Sequence, residues 1–122
     1  MKSTSIKTAS RKVGVSSIML KVLRICASET HVLEFDNVDT RFNDCCSWRV
    51  VVNGKRVLFS KCSYEHFSDI KSSVITTINI CKASDIPSDA AMLDSAKTMI
   101  AVLDAFPSFA ALANHPARIN EA

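Results

Sequence analysis

The chain predicts an α+β fold: a four-stranded antiparallel sheet built from two hairpins, followed by two main helices packed on one of its faces. Three observations carry that expectation. Asn53-Gly54 joins two runs of β-branched and aromatic residues, and Asn-Gly is the strongest short-range hairpin signal because a type I′ turn needs positive φ at both central positions. Leu33 and Phe35 alternate with Glu34 and Asp36, the period of a strand buried on one side. Beyond Phe59 the apolar residues recur three and four positions apart, as on a helix that lies against a core.

Residues 1–17 carry Lys2, Lys7, Arg11 and Lys12, no acid and no apolar period. They are expected to form a flexible basic arm, ordered on binding, ahead of one α+β domain over residues 18–122. A Ser- and Thr-rich targeting leader is the other reading of this stretch. The first hairpin is expected over residues 19–26 and 32–37, around the polar loop Ala27-Ser28-Glu29-Thr30-His31; its first half, following Ser17, also fits a short helix. Residues 38–44 form a polar connection rich in turn formers.

In the second hairpin, a turn centred on Asn53 and Gly54 places Val52 opposite Lys55, Val50 opposite Val57, and Trp48 opposite Phe59 on the core face. The outer face then carries Val51 with Arg56, Arg49 with Leu58, and Ser47 with Ser60. Arg49 lies diagonal to Arg56 there, and two like charges that close cost a few tenths of a kcal/mol unless solvated or matched by an acid. Trp48 points inward in this register, so it is no candidate for stacking on a base.

Ser63 is a candidate N-cap for a helix over residues 64–82, with Phe67, Ile70, Val74, Ile78 and Cys81 at helical spacing. Its β-branched stretch, residues 74–80, fits a fifth strand as well. A loop over residues 83–88 leads to a second helix on which Met92, Ala96, Met99, Leu103 and Phe106 repeat, stopped by Pro107. Ser108 restarts a short helical turn with Phe109 and Leu112 on one side. The tail from His115, with Pro116 near its start, is expected to fray.

Composition narrows the function classes. The chain has 122 residues, near the modal size of one domain, and its apolar runs are too short and too interrupted by charge to span a membrane. Five cysteines, an odd number with Cys45 and Cys46 adjacent, argue against a disulfide scaffold and for a reducing, cytoplasmic compartment. The net charge of +3 is unevenly spread. Residues 1–17 hold four basic side chains and no acid, residues 18–62 seven against five, and residues 63–122 four against seven. The basic end is the candidate contact surface.

No Gly-x-Ser-x-Gly elbow, phosphate loop or His-Glu-x-x-His motif occurs, and Gly14 and Gly54 are the only glycines; no catalytic activity or cofactor is expected. Extending the hairpin register outward sets Cys45 opposite Cys62, with His66 on the first turn of the next helix, a layout in which zinc finds ligands. Without a Cys-x-x-Cys pair, small buried residues are the stronger interpretation of these three positions. A binding surface has more support. Arg49, Lys55 and Arg56 on the hairpin, with Lys7, Arg11 and Lys12 on the arm, could neutralise several phosphates of a nucleic acid or nucleoprotein complex. Against this, Glu34 and Asp36 on a neighbouring strand could match that face, and no aromatic ring shares it. The alternative function is a small inhibitor or adaptor of the kind viruses and mobile elements encode, acting on a larger protein complex. The stripe from Met92 to Phe106 covers the sheet or, if the preceding helix does so, pairs with a second copy of the chain.

Overall fold

The computed structural model describes residues 19–61 and 64–120. The arm with Lys7, Arg11 and Lys12, the candidate ligand Cys62 and the candidate cap Ser63 therefore lie outside the described residues. The architecture is α+β. Strands β1 (Met19–Cys26), β2 (His31–Asp39), β4 (Ser47–Val52), β5 (Lys55–Phe59) and β7 (Arg118–Ile119) form an antiparallel sheet in the order β5-β4-β2-β1-β7. Two short strands, β3 (Asp44–Cys45) and β6 (Glu65–His66), pair with one another and prolong the sheet at one end. β3, through Asp44, and β4 share one register against β2, interrupted at Cys45 and Cys46; the Cys46 N–H donates to the Asp36 carbonyl at 2.9 Å.

One face of the sheet is apolar and covered. Leu23, Ile25, Leu33, Phe35, Trp48, Val50 and Leu58 are buried there against helices α1 (Phe67–Ala83), α2 (Asp89–Ala105) and α3 (Phe109–Ala113). Asn37, at φ 50°, breaks the alternation of β2, so that Val38 turns into the core while Asn37 stays exposed. Positive φ suits asparagine because its short polar side chain tolerates the left-handed region. At the centre Phe109 meets Phe35 and Phe67 edge to face, with centroids 5.2 and 5.0 Å apart.

Asn43, also at positive φ, fixes where two helices begin. Its carbonyl accepts from Phe67 N–H at 2.9 Å and its side-chain oxygen from Phe109 N–H at 2.8 Å, satisfying two donors that a helix start leaves free.

The stretch over residues 74–80 is helical. Burial of Phe67, Ile70, Val74 and Cys81 along one side of α1 outweighs the strand preference of its β-branched residues. α1 starts at Phe67 instead of residue 64, because Glu65 and His66 are drawn into β6; His66 caps the helix, its Nδ1 accepting from Ser68 N–H at 3.3 Å. On α2, Ala96, Met99 and Leu103 are buried, with Met92 and Phe106 packed against the core. That stripe covers its own sheet, the first of the two readings the sequence offered for it, and nothing in the fold supports a homodimer through the same residues. Nor does the tail simply fray: Cys26 N–H donates to Ala117 O at 2.9 Å, the Phe106 and His115 rings lie 4.4 Å apart, and β7 joins the sheet at β1. No helix among the described residues is long and apolar enough to cross a membrane.

Candidate functional site

No helix among the described residues covers the other face of the sheet, and its edge at β5 is shaped by one extra residue. Asn53 (φ 51°) and Gly54 (φ +83°) make the expected turn, and Val52 opposes Lys55 and Val51 opposes Arg56 as the sequence implied. There the uniform register ends. A bulge between Val50 and Val51 leaves Val57 unopposed, so Val50 pairs with Leu58 and Arg49 with Phe59. Trp48 and Val50 face the core as expected. Leu58 joins them, 7% exposed, while Phe59 swings to the outer face, 47% exposed. The signal for this was present: in Val57-Leu58-Phe59 three apolar residues run together, and a one-sided strand can bury only alternate positions.

Behind that edge a row of side chains crosses all five strands of the sheet. Ile119, Arg24, Glu34, Arg49 and Phe59 stand opposite one another in turn. Arg24 Nε donates to Glu34 Oε2 at 2.9 Å, and Arg49 Nε to Glu34 Oε1 at 2.6 Å. The remaining Arg49 nitrogens grip Asp36, at 2.6 Å to Oδ2 and 3.1 Å to Oδ1, and Ser47 Oγ donates to Asp36 Oδ2 at 2.8 Å. The hydrogen bond from Arg49 holds the Asp36 carboxyl below the usual range, against the opposing effect of burial, and Asp36 in return raises the Arg49 guanidinium. Two arginines and two carboxylates cancel, so the middle of the face is electrically neutral. Arg49 is thus occupied within the sheet instead of presented to a partner.

Lys55 and Arg56 are different. Both are exposed, and neither has an acidic partner among the described residues. The Arg56 guanidinium lies over the Phe59 ring, 5.5 Å from its centroid, within the range of a cation–π contact. The strand that carries the two free cations therefore also carries an aromatic ring on the open side. Sequence reasoning missed Phe59 because it assumed an unbroken ladder.

Of the three zinc candidates, Cys62 lies outside the described residues, and the other two have structural neighbours. Cys45 stands opposite Glu65, a second slip from the register of the β4–β5 ladder; His66 stands opposite Asp44 and serves as a helix cap. Cys45 is fully buried, and burial, reinforced by Glu65, pushes its thiol up to about 12, which opposes the thiolate a metal needs. No group of three or more His, Cys, Asp or Glu among the described residues is placed to hold a metal ion.

Other polar side chains are spent on structure. Trp48 Nε1 donates to the buried Glu65 carboxylate at 2.7 Å, tying β4 to β6. Arg41 grips Asp39 through Nε at 3.0 Å and a second nitrogen at 2.9 Å, and that hydrogen bonding lowers the Asp39 carboxyl. The buried His31 ring meets the Thr30 hydroxyl at 2.9 Å; its Nε2 lies 3.2 Å from Asp94, off the line of a hydrogen bond. These contacts close the β1–β2 loop and hold it to α2. Comparisons with protein-family models, with curated proteins and with solved structures match nothing.

Proposed function

We propose that this protein is a non-enzymatic binder of nucleic acid, and of single strands in preference to duplex, through the β5 edge of its open sheet face. The observation that supports this best is Phe59, half exposed beneath Arg56 on the open face, with Lys55 at the hairpin tip of the same strand. A base has an apolar face and a charged backbone. A ring that can stack on the first, flanked by cations for the second, is the minimal combination that sequence-tolerant single-strand binding uses. A duplex hides its base faces and would use only the cations. The neutral Arg24–Glu34–Arg49–Asp36 ladder offers phosphates little, so the basic residues Lys7, Arg11 and Lys12 of the arm are assigned the remaining backbone contacts.

The test is fluorescence anisotropy with a labelled oligothymidylate of about 12 nucleotides, set against a duplex of the same length, at about 50 mM salt. Wild type should prefer the single strand, and Phe59→Ala should weaken it by about 1–3 kcal/mol, the cost of one lost base–aromatic stack. No binding to either probe would overturn the proposal.

A further inference from the structure

β1 is paired along its length with β2, but on its other side, among the described residues, it meets only β7, at Arg24 and Ile25. Cys26 N–H points to Ala117 O on that side. Alternate residues of a strand direct their backbone groups the same way, so Arg24, Val22 and Leu20 send theirs toward β7 as well. β7 ends at Ile119, opposite Arg24. Among the described residues no strand faces Val22 or Leu20, so within them the N–H and C=O groups of both lie at a sheet edge. A groove of about 430 Å³ lies along this edge, lined by Leu20, Lys21, Val22, Arg24, Arg118 and Ile119 together with Asn120.

We propose that this groove is a strand-addition slot for an extended, acidic segment of a partner protein. The peptide backbone takes the open groups of Leu20 and Val22, continuing the line of β7, and apolar side chains on alternate positions rest against Val22 and Ile119. Charge selects the occupant. Among the described residues, three basic side chains and no acidic one line the groove. Arg24 is already engaged by Glu34, but Lys21 is exposed with no acidic partner among the described residues. Arg118 gives one nitrogen to Ala113 O at 3.0 Å, and its buried Nε has no partner among the described residues. A second copy added antiparallel over residues 20–22 would bring Lys21 against Lys21, an unfavourable cross-strand pair. Residues 1–17 of the chain itself hold four basic residues and no acid, the wrong charge for this edge. The slot lies at the opposite edge of the sheet from Phe59, so it is independent of the nucleic-acid proposal.

The experiment uses the full chain and a fluorescein-labelled hexapeptide of alternating Glu and Val, read by anisotropy. A Lys-Val hexapeptide and a Glu-Val hexapeptide with alternate backbone nitrogens methylated serve as controls. Only the unmethylated acidic peptide should bind. Lys21→Glu should weaken it by about fivefold, the scale of a cross-strand charge pair. Val22→Pro removes an N–H that points away from β2, so it leaves the β1–β2 ladder whole and is tolerated as an edge proline. It should weaken the peptide by about tenfold or more, with circular dichroism confirming that the variant is folded. In the free protein, the Leu20 and Val22 amides should exchange rapidly with solvent and become protected on adding peptide. Equal binding of the methylated peptide, or no binding of the acidic one, overturns the proposal. So does protection of those amides in the free protein: at all concentrations it assigns the slot to the chain itself, and only at high concentration to a second copy.

Discussion

Leu58 and Phe59 exchange places if the bulge at Val57 is removed, so substituting each in turn tests the geometry on which the functional proposal stands. In the structure Leu58 is 7% exposed and packs in the core, while Phe59 is 47% exposed and touches Arg56. Leu58→Ala removes buried methyl groups and leaves a cavity. Such changes cost about 2–5 kcal/mol in a core, and a position on an edge strand belongs near the lower end, about 2–3 kcal/mol. Phe59→Ala gives up a half-exposed ring and an exposed cation–π contact, about 0.5–1 kcal/mol. For a domain of this size 1 kcal/mol moves Tm by roughly 4 °C. Thermal melts followed by far-UV circular dichroism should therefore show a fall of about 10 °C for Leu58→Ala and about 2–4 °C for Phe59→Ala. A larger fall for Phe59→Ala would mean that the ladder runs unbroken to Phe59, and the exposed ring on the open face would vanish with the bulge.

The ion-pair ladder predicts an acid dependence. The Asp36 carboxyl is lowered in the folded state, so its contribution is present above its ordinary value of 3.8 and is lost as pH falls through the lowered folded value. Arg49→Met removes the main cause of that shift, and the fall in Tm between about pH 7 and about pH 3 should become smaller than in wild type; an unchanged fall would show that Arg49 does not hold Asp36. Trp48→Phe deprives the buried Glu65 carboxylate of the donor 2.7 Å away and should cost about 1–3 kcal/mol in denaturant unfolding, against a negligible change if that bond were unimportant. Cys26 is exposed and Cys45 is buried with its thiol pushed up to about 12, so a thiol reagent near pH 8 should label Cys26 in the native protein and Cys45 only after unfolding. Rapid native labelling of Cys45, located by peptide mass mapping, would contradict this placement.

Much of the fold was legible because its signals are local. Asn53-Gly54 fixed the tight turn, the alternation around Phe35 marked β2, and the spacing of Phe67, Ile70 and Val74 identified the face that α1 buries. What escaped the sequence depends on contacts between distant segments. A bulge is decided by which of Val57, Leu58 and Phe59 finds room under α2, and a turn motif says nothing about that. The second slip of the ladder sets Cys45 against Glu65. It follows from Asn43, which binds the starts of both α1 and α3. β7 escaped because two residues are too short to show a period and are held by an edge contributed from the other end of the chain. For the candidate site, Lys55 and Arg56 were readable as exposed cations at a hairpin tip. The neutralisation of Arg49 was foreseeable from Glu34 and Asp36 but needed the strand order β4-β2-β1 to bring both carboxylates within reach.

The most direct measurement of the proposed function is the salt dependence of single-strand binding in wild type, Phe59→Ala, and the double variant Lys55→Glu with Arg56→Glu. Log K should fall linearly with log salt in all three. The account predicts that Phe59→Ala weakens binding with an unchanged slope, because stacking releases no counterions, while the double variant flattens the slope by about 1.4, at about 0.7 for each lost phosphate contact. Equal affinities and equal slopes across the three proteins would contradict it.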